Sequence, residues 1–546
     1  MVSLGLLGSG AVEPFGASVR QPVIISLLVF IGCALLWLVM LVSGRDSPDE
    51  VYVADRSLSP VVNGFAMAGE FITAVSLLAI PGAIALFGYD GFAAAVDALL
   101  GLGVALLLAQ RIRNSGCYTL GDLFGLRARG PAPRTAAALV TLAITLPLLL
   151  IQLRAAGISV SLVIGASTEH VQVICTIMVG CLIACFAAVA ELRGTTFMQV
   201  VKVPLTLVTL TVITLLALRK FGWDPGNLLS AAAKASPAPD EYLSPGMWPY
   251  ETSFGPLNDV GAHLVVILGT AMAPHLILRI SASRSGRSAR QSVSIAAVLS
   301  TAFVALLLAA GLASTAVVGS RTIGAVDGNG QSALVLLASG LFHEASTARV
   351  VLVTAISCVA FLAVLTAVSS VTFAAAVSLV HDVFGRYRRH RTDEGEIRVL
   401  RLAVVVLCVL GLSLSAATYR YQVEFLITFA MSVAASCVFP ALIYTFFWRR
   451  FNRRGLLWTV YGGLLLCVVL MFFSSSVSGS AYALWPEEDF AWYPFQTPGL
   501  AAVPTAFLLG WIGSVTSPPA SGSATAADHS FLTERRAGPT TAARGQ

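Results

Sequence analysis

The chain has 546 residues, of which 57% are hydrophobic and 11% charged, with a formal net charge of +6. So little charge cannot cover the surface of a water-soluble protein of this length, which excludes a soluble enzyme and gives no reason to invoke nucleic acid. The composition is that of an all-α polytopic membrane protein, and function is to be sought where polarity persists inside apolar segments.

Thirteen apolar segments are predicted to cross the bilayer, at 21–43, 61–86, 91–110, 135–155, 173–191, 200–218, 260–280, 293–318, 350–380, 398–417, 423–447, 456–474 and 497–516. They are referred to below as spans 1 to 13. About 20 helical residues cross the hydrocarbon, and the backbone must satisfy its own hydrogen bonds there. Span 1 has only Arg20 before it and is too long for the core of a signal peptide, so it is read as a true span. Span 9 is long enough to tilt or to project past the membrane.

Span 2 contains AGEFITAVSLLAIPG, with Gly69 and Glu70 near its middle, Thr73 and Ser76 following, and Pro81-Gly82 beyond. A glutamate at that depth needs a partner or an aqueous cavity. Glycine and proline let a helix open, and an opened helix presents carbonyl oxygens to a small cation. The plainer reading is a kinked helix with Glu70 paired inside the bundle.

Span 4 carries Gln152 and Arg154 at its expected end. A guanidinium there would suit a substrate carboxylate; the alternative is that it reaches to the outer interface. Span 7 reads ILGTAMAPHLILRI, with Gly269 and Thr270 ahead of Pro274-His275 and Arg279 near the cytoplasmic end. Two broken helices at corresponding places in two halves point to a transporter site at the membrane midplane. Span 9 supplies Ala363, Thr366, Ala367, Ser369, Ser370 and Thr372. Small and hydroxylated residues also serve plain helix packing, but the Thr366 hydroxyl, one turn from Ala363, could join carbonyls around a hard cation.

Arginines fill alternate short loops: 111–134, 279–290, 386–398 and 449–454. That bias places these loops in the cytoplasm, the N-terminus outside and the C-terminus inside. Residues 517–546 are rich in Ser, Thr, Pro, Ala and Gly and are expected to be a disordered cytoplasmic tail. The remainder, 1–516, is expected to be one transporter domain. Spans 2–6 and 7–11 hold five helices each, so a second copy of an odd-numbered unit would lie inverted: repeat A at 61–218 and repeat B at 260–447, with span 1 and residues 456–516 peripheral.

Eight of the nine cysteines fall in spans, without metal-ligand spacing or a disulfide framework. No nucleotide loop, HExxH, voltage-sensing arginine ladder or potassium-filter sequence is present. A transporter is therefore favoured over a channel and a membrane enzyme.

The motifs AGEFITAVSLL from Ala68, FGYDG from Phe87, RIRNSGCYTLGDLF from Arg111, GTAMAPHLILR from Gly269 and AAAVSLVHDVFG from Ala374 resemble the sodium:solute symporter family. Within it, the chain looks closest to the cation/acetate and monocarboxylate symporters, over about residues 50–475. The resemblance implies thirteen helices with a LeuT-type inverted five-helix repeat, in a bacterial plasma membrane. It implies uptake of acetate or another short monocarboxylate coupled to sodium as the coupling ion, by alternating access.

Coupling to protons, uptake of another organic acid or amino acid, and a transporter-like sensor stay open as alternatives. The expected partners are a small organic anion, an inorganic cation and the lipid bilayer, with no obligate protein partner evident. The resemblance puts sodium on backbone oxygens of Ala68, Phe71 and Ala363 with the Thr366 hydroxyl. Ala367 stands where many relatives have a second hydroxyl, and Glu70 where aspartate is common. It puts substrate beside Gly69, Glu70, Thr73, Gln152, Gly269 and Thr270. Arg154, unexpected in acetate-type relatives, is read as a candidate anion contact.

Overall fold

A computed structural model describes residues 17–41, 48–165, 168–189, 192–247, 255–342, 346–384, 393–419, 423–480 and 483–517. The expected tail, 517–546, lies outside them apart from Ser517. Among the described residues, ten helices are long and apolar enough to cross a membrane, and eleven if the bent pair Pro60–Phe71 and Ala74–Phe87 is one span. Two shorter apolar helices, Val19–Cys33 and Gly499–Val515, lie at the positions of spans 1 and 13. The chain is thus an all-α, multi-pass membrane protein.

Burial separates interior spans from lipid-facing ones. The apolar window of Thr347–Val383, which is span 9, is 78% buried, whereas that of Glu169–Ala188, span 5, is 33% buried. Its length is therefore spent inside the bundle. It runs helically over Thr347–Val377 and continues as a wide turn over Ser378–Val383. Outward-facing Leu107, Met178, Val298 and Leu465 are large and exposed, as expected where lipid tails replace water.

Span 2 breaks at Ile72–Thr73, two residues past Glu70, and bends by 53°. The local cause is a capping box: Thr73 Oγ1 accepts from the Ser76 N–H, and Ser76 Oγ accepts from the Thr73 N–H. Pro81, expected to contribute to the interruption, sits inside Ala74–Phe87 without ending it. Span 7 is split into Gly255–Ala271 and Pro274–Ser281, with Pro274 at the first turn of the second piece, where a missing N–H costs nothing. Its two pieces still read as a single span, Gly255–Ser281.

Span 4 is longer than expected. Its helix runs Pro131–Ile164, so Gln152 and Arg154 lie inside it, not at its end. Leu-, Ile- and Ala-rich sequence continues to Ile164, and Gly165 in a left-handed conformation ends the helix. Span 6, Leu192–Lys220, packs against both Pro60–Phe71, the first half of span 2, and span 9.

The nine cysteines are free thiols. Between spans 6 and 7, Pro225–Ala235 rests on span 8, and Tyr242 is buried with its hydroxyl donating to Ile84 O at 2.7 Å.

Candidate functional site

Breaking span 2 frees a carbonyl. In an unbroken helix the Thr73 N–H would serve Gly69, four residues back; here it serves Phe71 O at 3.0 Å. The Gly69 oxygen accepts instead from Lys202 Nζ on span 6, at 2.7 Å. The same Nζ donates to Thr366 Oγ1 on span 9 at 2.8 Å. Lys202 and Thr366 are both 0% exposed. One side chain thus ties the broken helix to the most deeply buried span.

Helix approach is close here. A Cβ on Gly69 would stand 2.8 Å from Gln199 Cβ, which cannot swing away as the amide can, so glycine lets span 6 come this near. Gln199 is fully buried, and both its amide oxygen and nitrogen lack partners among the described residues. Buried amides are normally bonded, so an unmatched one beside a helix break marks a place where a polar guest would be welcome.

Glu70 has its partner inside the bundle. Arg279 Nε donates to Glu70 Oε1 at 2.8 Å and Ser370 Oγ donates to the same oxygen at 2.7 Å. The Arg279 guanidinium goes on to donate to Thr196 Oγ1 at 2.5 Å and Thr195 Oγ1 at 3.1 Å. Four elements meet there: spans 2, 6, 7 and 9. Asn63 Nδ2 adds a bond to Arg279 O at 3.0 Å.

The atoms expected to hold sodium are engaged with the chain itself. Ala68 O accepts the Ile72 N–H, Phe71 O accepts from Ser76 Oγ, and Ala363 O accepts from Thr366 Oγ1. Thr366 Oγ1 also accepts from Lys202 Nζ. Ala367, without a side-chain oxygen, is buried in the same turn region. A sodium ion bound to that hydroxyl would share it with the ammonium, and two unit charges about 4 Å apart repel by about 4 kcal/mol at an effective dielectric of about 20. With Lys202 in place, these residues do not fit a sodium ion.

Of the expected substrate residues, Thr73 caps Ala74–Phe87, the second half of span 2, and Gly269 and Thr270 lie just before the break in span 7. A Cβ on Gly269 would stand 2.6 Å from Met431 O, so the glycine admits span 11 against the break. His275 follows that break, with Nδ1 unmatched among the described residues. Gln152 is buried, with Oε1 likewise unmatched. Arg154 is buried too, and its guanidinium donates to the backbone oxygen of Thr418 and, at 2.7 Å, to Thr418 Oγ1. It caps the final turn of Asp393–Ala417 and lies 5.6 Å from the Tyr419 ring centre.

Lys202, Gln199 and His275 were not among the sequence candidates. The signal for Lys202 was a lysine inside an apolar span, FMQVVKVPLT, the same kind of interruption that drew notice to Glu70.

A second polar cluster joins two of the motifs named above. On the short helix Leu120–Gly125, Asp122 pairs with Arg134 at 2.8 Å and with His381 Nε2 at 3.1 Å. Asp382 accepts from Thr119 at 2.7 Å and from Ser378 at 2.9 Å. Burial raises the Asp122 carboxyl, but its bond to His381 and the charges of His381 and Arg134 outweigh that and hold it below the usual carboxylate value. Ligand atoms of Asp122, His381 and Asp382 lie within 4.8 Å of one another, and each already has a protein partner.

The sequence pattern of the sodium:solute symporter family matches residues 51–463. A monocarboxylic acid transporter of Corynebacterium glutamicum is 32% identical over 483 residues, covering 86% of this chain and 87% of its own. The uncharacterized symporter YwcA of Bacillus subtilis is 31% identical over 494 residues, covering 90% and 93%. Among solved structures, a Na+-coupled sialic acid symporter in a substrate-bound outward-open state is 12% identical, with a TM-score of 0.70 over 92% of this chain and 98% of that one. Mhp1, a nucleobase-cation-symport-1 family transporter in a closed conformation, is 13% identical, with a TM-score of 0.53 over 90% and 99%. These two share the fold. A 413-residue match (463 − 51 + 1) covers most of the chain, so it belongs to the sodium:solute symporter family, whose members are secondary-active transporters and not enzymes.

Proposed function

We propose that the chain takes up acetate or another short monocarboxylate by cation-coupled alternating access. The observation that carries this reading is the pair of interrupted spans, 2 and 7, with unmatched polar groups of Gln199 and His275 beside them. Sodium as the coupling ion is supported by the family and by the Na+-coupled symporter that shares the fold. A monocarboxylate cargo is supported by the Corynebacterium relative. Gly69, Glu70, Thr73, Gln152, Arg154, Gly269 and Thr270 are the proposed surroundings of the substrate, extended by Gln199 and His275.

The proposed architecture has thirteen crossings and an inverted five-helix repeat, 61–218 and 260–447, in a bacterial plasma membrane. One cation moving with one monoanion is electroneutral. The membrane potential, worth about 2.3 kcal/mol per charge at 100 mV, then adds nothing unless excess cations move.

Purified protein in proteoliposomes is expected to accumulate labelled acetate when a sodium gradient is imposed, with pyruvate and propionate competing and proline not. Accumulation of proline in place of acetate would replace the substrate assignment with an amino acid.

Orientation has its own test. Cysteine replacing exposed Ser285 should resist an impermeant thiol reagent in intact cells, and cysteine replacing exposed Asp240 should label, in a cysteine-free background. Labelling at 285 and protection at 240 would invert the topology.

A further inference from the structure

Three buried groups meet where spans 2, 6 and 9 touch. Gly69 O has lost its helical donor to the break, as Thr73 N–H has turned to Phe71 O. Thr366 directs its own hydrogen toward the carbonyls of Leu362 and Ala363, at 2.9 and 3.1 Å, which leaves a lone pair facing span 6. Lys202 Nζ stands between these two acceptors, at 2.7 and 2.8 Å.

We propose that Lys202 is the resident cation of this junction: its ammonium fills the place the family resemblance gives to sodium, and excludes a free sodium ion from it. The inference rests on the cation-coupled reading for which place a sodium ion would take. The chemistry of the place suits either occupant. A hard cation and an ammonium both seek a carbonyl released by a broken helix and a hydroxyl on the facing span. Each carries one positive charge, and Glu70 lies within electrostatic reach of the lysine.

The two occupants differ in attachment. Sodium arrives from solution, whereas this ammonium is covalently held by span 6. It joins spans 2 and 9 without an ion being delivered. Sodium-driven uptake then uses an ion held by other oxygens of the chain.

The test uses the purified full-length protein, with Thr366→Val, Lys202→Met and the double variant. Binding of radioactive sodium is measured without substrate, and uptake of labelled acetate is then followed in proteoliposomes as sodium is varied. With the lysine present, Thr366→Val should leave the half-saturating sodium concentration within about twofold of the parent. A parent that binds no sodium at all gives the same support. Lys202→Met should gain a saturable sodium site, and adding Thr366→Val should remove it.

Two results would overturn the proposal. One is a rise of about tenfold or more in the sodium required by Thr366→Val alone, the loss expected when one desolvated ligand is removed. The other is a well-inserted Lys202→Met protein with no added sodium site. If Lys202→Met does not insert, the parent and Thr366→Val still decide, since both keep the lysine. Absence of saturable acetate uptake by the parent would defeat the substrate reading and leave the binding comparison standing.

Discussion

Arg279→Met should be among the most damaging single substitutions in this protein. It leaves the Glu70 carboxylate buried with Ser370 as its remaining hydrogen-bond donor, and strips Thr195 and Thr196 of their donor. Removing one member of a buried pair costs about 3–5 kcal/mol, because the other charge stays behind uncompensated. Glu70→Gln combined with Arg279→Met removes both charges and should recover much of that loss. Thermal loss of monodisperse protein in detergent measures it: the double variant is expected to survive to a higher temperature than Arg279→Met. Equal stability of single and double variants would mean that the pair is open to water and worth little.

Gly269→Ala should abolish most transport with a smaller loss of stability. The new Cβ would lie 2.6 Å from Met431 O and 2.8 Å from its Cα, and backbone cannot step aside as a side-chain tip can. Span 7 would have to move off span 11 at its break. Overpacking of this kind costs about 1–3 kcal/mol, and the displacement falls where the helix must be interrupted. Uptake should drop by about tenfold or more at matched abundance, while Gly324→Ala, whose Cβ would come no nearer than 3.7 Å to Leu86, should stay within about twofold. Normal uptake by Gly269→Ala would show that span 11 can retreat freely.

Much of the frame was legible in the sequence, because apolar length is a one-dimensional signal. Edges were less so. The expected end of span 4 is residue 155, yet the helix absorbs Arg154 and continues to Ile164. Gly69 and Pro81 are the expected breakers of span 2, but the Thr73–Ser76 capping pair sets the place of the break.

What sequence could not supply was pairing. Glu70 and Arg279 are 209 residues apart, and Arg154 and Thr418 are 264 apart, so neither partner follows from local pattern. Lys202 was a different kind of omission. An ionisable residue amid the valines of span 6 calls for a partner, but its partners, Gly69 and Thr366, lie 133 and 164 residues away.

The clasp at Glu70 has a consequence for any motion that carries the two broken helices together. Glu70 rides on span 2 and Arg279 on span 7, so the carboxylate and guanidinium would travel as one neutral passenger. The bonds that must part are those to Ser370, Thr195 and Thr196. Each of those hydroxyls can be replaced by an entering water molecule at little enthalpic loss. This step should therefore be electrically silent: a voltage jump applied to the empty transporter would draw no gating current from the clasp.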